Sequence, residues 1–231
     1  MTQQREFLVA ALAAFAVAAA AAQADIIFDQ PPSNYYAAPS DTDYDTFTYG
    51  RVWERLADNL SLPTGQSTRH ITWWGCYGGG GHPTAPPVGD EYMRIRIYSP
   101  RTSDGLPGDV LYEQTTLNVD RTATGRIVAM PGSPPEYRFD LDLTTPFDAV
   151  AGAVYWLEIV QLGDVSSTFQ WEDATNNPDE LAFANSNFPD WQLNPGGSLA
   201  FQLSDVPEPR TMVLVGLGFL AAARRPGGSP Q

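Results

Sequence analysis

Along much of this chain apolar residues recur at every second position, and only for short stretches. Met93, Ile95 and Ile97 interleave with Tyr92, Arg94, Arg96 and Tyr98; Tyr137, Phe139, Leu141 and Leu143 interleave with Arg138, Asp140 and Asp142; Leu199, Phe201 and Leu203 interleave with Ala200, Gln202 and Ser204. Period two sends alternate side chains to opposite faces of an extended backbone, so each stretch reads as a strand with one covered face. The runs at 69–76 (RHITWWGC) and 154–162 (VYWLEIVQL) are nearly continuous, which fits central strands covered on both sides. Weaker strand signals lie at 52–62, 109–117, 125–130, 168–172 and 180–184, and turn residues separate them at 78–81 (GGGG), 103–108 (SDGLPG), 131–135 (PGSPP), 176–178 (NNP) and 194–197 (NPGG). Short strands at this spacing, with no helix-period stretch and no internal repeat, predict an all-β fold: a single antiparallel β-sandwich, jelly-roll-like, over residues 51–205. Residues 25–50, with Pro31-Pro32 and few apolar residues after Phe28, read as a partly ordered N-terminal arm.

Composition removes several chemistries. All 13 basic residues are arginine, so mechanisms that need a lysine amine are excluded. One cysteine, Cys76, rules out intrachain disulfides, and two histidines, His70 and His82, cannot build a three-histidine metal centre. Residues 25–205 hold 25 of the 27 acidic residues and 9 of the 13 arginines, a net charge of −16. Nucleic acid needs a basic face and is not an expected partner, whereas neutral glycans and divalent cations are compatible with such a surface.

The two ends read as addresses. Behind Arg5, residues 7–22 are an alanine-rich apolar run, and Ala22-Gln23-Ala24 fits the small-x-small pattern of a signal peptidase site. Residues 1–24 are thus expected to be a signal-peptide helix, passed through the Sec translocon and cut before Asp25. At the other end Val206-Pro207-Glu208-Pro209 is followed by the uncharged apolar stretch 211–223 (TMVLVGLGFLAAA) and by Arg224-Arg225. A V-P-E-P element, an apolar stretch and then arginines, over residues 206–231, resembles the PEP-CTERM sorting signal of Gram-negative bacteria. The resemblance implies recognition of Pro207, Glu208 and Pro209 by an exosortase and a destination at the cell surface or in the extracellular matrix. As a helix, 13 apolar residues extend about 20 Å against about 30 Å of hydrocarbon, so this short hydrophobic helix is expected to insert only transiently. The middle of the chain, through Ala57-Asp58-Asn59-Leu60, Ile71-Thr72-Trp73-Trp74-Gly75, Ile95-Arg96-Ile97-Tyr98, Gly105-Leu106-Pro107-Gly108 and Tyr155-Trp156-Leu157-Glu158-Ile159, also resembles a domain found in exported, anchored bacterial proteins without an established activity.

No catalytic residue is expected. Glu158 lies on the opposite side of its strand from Tyr155, Leu157 and Ile159 and is expected to be solvated; Glu172 beside Trp171 is no better placed for acid–base work. There is no G-x-S-x-G elbow; His70 reads as structural and His82 as exposed. Cys76 reads as a small buried hydrophobe, with an intermolecular bridge as the alternative. Asp41, Asp43 and Asp45, at alternate positions in what reads as a loop, are candidate ligands for weakly bound calcium; no other cofactor is expected. Aromatics are the strongest functional signal, because sugar rings stack on exposed aromatic faces. Tyrosines cluster at Tyr35-Tyr36 and Tyr77; Trp73, Trp156 and Trp171 read as core, and Tyr77 and Trp191 are the candidate glycan contacts. The expected function is an exported, non-enzymatic matrix or surface protein contacting exopolysaccharide. The alternative is a secreted glycan hydrolase using two carboxylates.

Overall fold

A computed structural model describes residues 25–46, 50–78, 85–87, 89–117, 119–162, 168–175 and 180–205, with the backbone alone for 42–46 and 50–53. Among these every regular element is a strand, and the strands form two sheets. The first contains β1 (Ile26–Gln30), β2 (Pro32–Pro39), β5 (Gln66–Tyr77), β8 (Asp120–Ile127), β9 (Pro135–Ala149), β11 (Phe169–Ala174) and β14 (Phe201–Ser204). The second contains β3 (Asp41–Thr46), β4 (Gly50–Ser61), β6 (Met93–Pro100), β7 (Pro107–Thr116), β10 (Val154–Gln161), β12 (Glu180–Asn185) and β13 (Gln192–Pro195). The described ladders are antiparallel except for one parallel bridge between Gln161 and Asp41.

One buried cluster draws on both sheets: Ile71, Trp73, Phe139, Phe169, Trp171 and Phe201 from the first, Leu56, Ile95, Ile97, Leu157, Ile159 and Leu181 from the second. These are the apolar members of the alternating segments, so burial of one face of each strand is what joins the sheets into a sandwich. Trp73 and Phe139, paired in register on β5 and β9, stack with ring centroids 5.4 Å apart. Strand β5 is the spine of its sheet. It pairs with β9 along one side, and with β14 and then β11 along the other. The chain crosses between sheets at Ser40, whose hydroxyl donates to the Ile159 carbonyl (2.5 Å) and whose amide donates to the Phe169 carbonyl (3.1 Å).

Residues 26–46 do not hang free. β1 pairs with β14, β2 with β11, and β3 with β4. Backbone hydrogen bonding recruits this segment, which is why low apolar content concealed it. The spacing at Asp41, Asp43 and Asp45 is accordingly that of a strand, not a flexible loop.

Gly75 sits where the spine meets β11. A Cβ there would lie 2.5 Å from the Gln170 carbonyl oxygen and 2.6 Å from the Phe169 ring. Backbone cannot retreat without breaking the ladder, so Gly75→Ala is expected to cost about 3 kcal/mol or more. Thermal unfolding checks this, and a midpoint within about 2 °C of the parent would contradict it.

Candidate functional site

The residues expected to contact glycan are covered. Tyr77 is 1 % exposed because the end of β5 turns it into the core, edge-on to Phe139 and Phe169, with the Arg121 guanidinium 5.5 Å from its ring. Arg121 also ion-pairs with buried Glu91 and donates to the Pro86 carbonyl, which fastens the segment before β6 to this end of the sandwich. Trp191 is 9 % exposed, its ring covered by Arg55 at 4.6 Å and met edge-on by Tyr98. Neither ring offers a sugar an open face. Asp41 is buried; the side chains of Asp43 and Asp45 lie outside the described residues, as do His82, Ala22, Ala24, Pro207, Glu208, Pro209, Arg224 and Arg225.

Glu158 departs from expectation most. It does project away from Leu157 and Ile159, but that outer face carries a second apolar cluster of Ala57, Tyr98, Leu106, Trp156, Ala182 and Trp191. Beneath this layer Glu158 is 0 % exposed. Its carboxylate accepts from Arg55 Nε (3.1 Å), from Arg94 Nη2 (3.0 Å) and from the Tyr98 hydroxyl. A carboxylate so fully partnered has no free lone pair directed at a substrate.

The outer face of the first sheet holds a different arrangement. Glu136 on β9, Cys76 on β5 and Gln170 on β11 occupy one rank across the strands, and Glu172 stands two residues along from Gln170. Ala37, Val128 and Met130 close over Cys76, leaving Glu136 and Glu172 buried. Arg126 donates to Glu136 Oε1 from Nε (3.0 Å) and Nη2 (2.5 Å), while Glu172 Oε1 accepts from the Asn34 amide (2.5 Å). The Oε2 atoms of both receive no ordinary donor, and the two carboxyls interact side chain to side chain. Two carboxylates cannot hydrogen-bond each other unless one is protonated. Burial and the neighbouring Glu136 charge push Glu172 up to about 8, so it is the member that keeps the proton at neutral pH. Burial and the same two carboxyls push the Cys76 thiol up to about 12, which makes it unreactive and fits the reading of Cys76 as a buried hydrophobe.

This outer-face architecture spans β2, β5, β8, β9 and β11, and the sequence over all of them matches a known family, described as a domain of unknown function (DUF7901), across residues 26–212. The chain belongs to the DUF7901 family. The match begins at the first residue of β1, so the segment read as an arm lies within it apart from Asp25. A second match, to the PEP-CTERM protein-sorting motif, covers residues 205–225 and includes Pro207, Glu208, Pro209, Arg224 and Arg225. This DUF7901 protein is therefore exported and processed at the membrane by the exosortase route of Gram-negative bacteria. A search among curated proteins finds no similar sequence.

In this DUF7901 sandwich His70 is occupied at both ring nitrogens, Nδ1 by Asp142 (2.8 Å) and Nε2 by Asp140 (3.3 Å). Burial lowers its pKa, but the two carboxylates outweigh burial and leave it raised. Asp140 is lowered in spite of burial by His70, Thr72 and Arg138. A ring with a carboxylate at each nitrogen has no nitrogen left to act as a base. Glu136 escaped the sequence reading. Its one available signal was alternation, which places it and Arg138 on the outer face without showing that residues 128–130 would fold back over that face.

Proposed function

We infer that the protein is a non-enzymatic component of the cell surface or extracellular matrix, transiently membrane-inserted through residues 211–223, whose sandwich contacts exopolysaccharide. The observation that carries this is the sorting motif at 205–225 directly behind a folded sandwich. The state of the carboxyls supports it. Glu158 is locked by arginines, and Glu136 and Glu172 touch each other with no exposed surface. A glycosidase holds its two carboxyls about 5 Å or more apart across an open cleft. The presence of a protonated Glu172 beside Glu136 is nevertheless the one feature that favours the hydrolase reading, and it gives that reading a direct test.

The full chain carrying a C-terminal tag, expressed in bacteria with and without an exosortase, is expected to lose the tag and reach the surface or medium only with the enzyme. Tag retention in both hosts would overturn the sorting part of the reading. Purified protein incubated with extracellular polysaccharides should release no reducing ends; release that disappears in Glu172→Gln would replace the matrix reading with the hydrolase.

A further inference from the structure

If the sandwich contacts glycan through neither Tyr77 nor Trp191, another surface must do so. Strand β2 pairs regularly with β11 at Ala37–Glu172 and again at Pro32–Ala174, so residues 33–36 stand opposite Asp173 alone. The surplus residues form a bulge, and Asn34 at its start has φ 61°, a left-handed conformation uncommon outside glycine. In a regular strand one of two successive side chains turns into the sheet. Here both are exposed, Tyr35 at 75 % and Tyr36 at 48 %.

The bulge is pinned. Asn34 donates its amide to Glu172 Oε1 at 2.5 Å, accepts from the Ala129 amide at 3.0 Å, and is followed by the Tyr35 amide donating to Ser33 Oγ at 3.1 Å. A strained residue held by a buried carboxyl, presenting two rings that the core does not use, is the pattern expected where backbone geometry serves a ligand. The occupant follows from edge and charge. Pro31, Pro32 and the bulge deny an added strand a continuous row of donors and acceptors, which disfavours a second copy or an extended peptide. The net charge of −16 on residues 25–205 disfavours a polyanion. Flat, amphipathic rings suit the CH faces of neutral pyranose sugars.

We propose that Tyr35 and Tyr36, presented by the β2 bulge, form the stacking surface for a neutral polysaccharide. This rests on the polysaccharide reading above and assigns its site. Glu172 holds the bulge from beneath through its hydrogen bond from the Asn34 backbone amide.

The test is affinity electrophoresis of the full chain in native gels containing dextran or mixed-linkage β-glucan, with alginate as the acidic control. The parent should be retarded by a neutral polymer and not by alginate. Tyr35→Ala/Tyr36→Ala should weaken the interaction about tenfold or more, and Tyr35→Phe/Tyr36→Phe should retain it, both with the parent's unfolding midpoint. If the parent binds and the double alanine variant binds equally, the assignment of the site falls while the polysaccharide reading stands. If alginate alone retards the parent, the neutral-ligand assignment is wrong. If no polymer does, both are overturned. Should the double variant unfold, Tyr35→Ala alone, at the more exposed position, carries the comparison.

Discussion

Replacing Glu172 by glutamine should make the protein more stable at pH 8 and flatten its response to pH. In the folded state Glu172 keeps its proton up to about pH 8, whereas in the unfolded chain the same carboxyl ionises near 4.5. Between those values the native state binds one proton more than the unfolded state, so stability falls as pH rises through the window, by up to about 1.4 kcal/mol per unit. The contribution is fully present below about 4.5 and is lost by about 8. A glutamine amide donates to Glu136 at every pH, and its carbonyl still accepts from the Asn34 amide. Glu172→Gln is therefore expected to match the parent near pH 4.5 and to exceed it by roughly 2 to 4 kcal/mol at pH 8. His70, also raised, acts in the same direction and leaves a residual slope in the variant. Urea unfolding at pH 5 and pH 8 decides the matter; equal slopes for parent and variant would mean that no proton is shared between Glu136 and Glu172.

Glu158→Ala should be the most damaging single change on the second sheet. One carboxylate serves Arg55, Arg94 and the Tyr98 hydroxyl, and the Arg94 Nε is already buried without an acceptor. Deleting the carboxylate leaves two guanidinium groups facing each other under the Trp156–Trp191 layer, a loss of about 3 to 5 kcal/mol. Glu158→Gln keeps acceptors for both arginines and should cost less than half as much. The same urea titrations report this, and a loss under about 1 kcal/mol for Glu158→Ala would show that the arginines find water instead.

The strands themselves were legible because burial on one face writes itself into a period of two. The signals at 69–76, 93–98, 137–143 and 154–162 all fall in strands, within β5, β6 and β9 and, apart from its last residue, within β10. What period two does not record is a second cover. The continuous run around Glu158 already pointed to a strand enclosed on both sides, yet the alternation rule alone sends that residue to solvent; the covering residues, Leu106 and Trp191, come from 52 and 33 positions away and leave no local trace. Tyr77 and Trp191 mislead for the same reason: glycine- and proline-rich neighbours suggest exposure, and long-range packing removes it. β1, β2 and β13 went unseen because they join their sheets through backbone pairing with few buried apolar side chains, and β3 because its acidic sequence reads as a loop. The pairing of Glu136 with Glu172, 36 residues apart, is created by β5 lying between β9 and β11, which is a matter of topology and not of pattern.

The ladder between β1 and β14 brings Ile26 opposite Ser204, so the folded domain begins and ends at neighbouring points on one edge. A chain that enters and leaves a fold side by side is not threaded through it. Removal of the residues before Asp25 or of those beyond Asp205, in either order, would sever none of the described strands. Whichever flank is changed, the pairing of the first strand with the last keeps both ends of the domain fastened to each other.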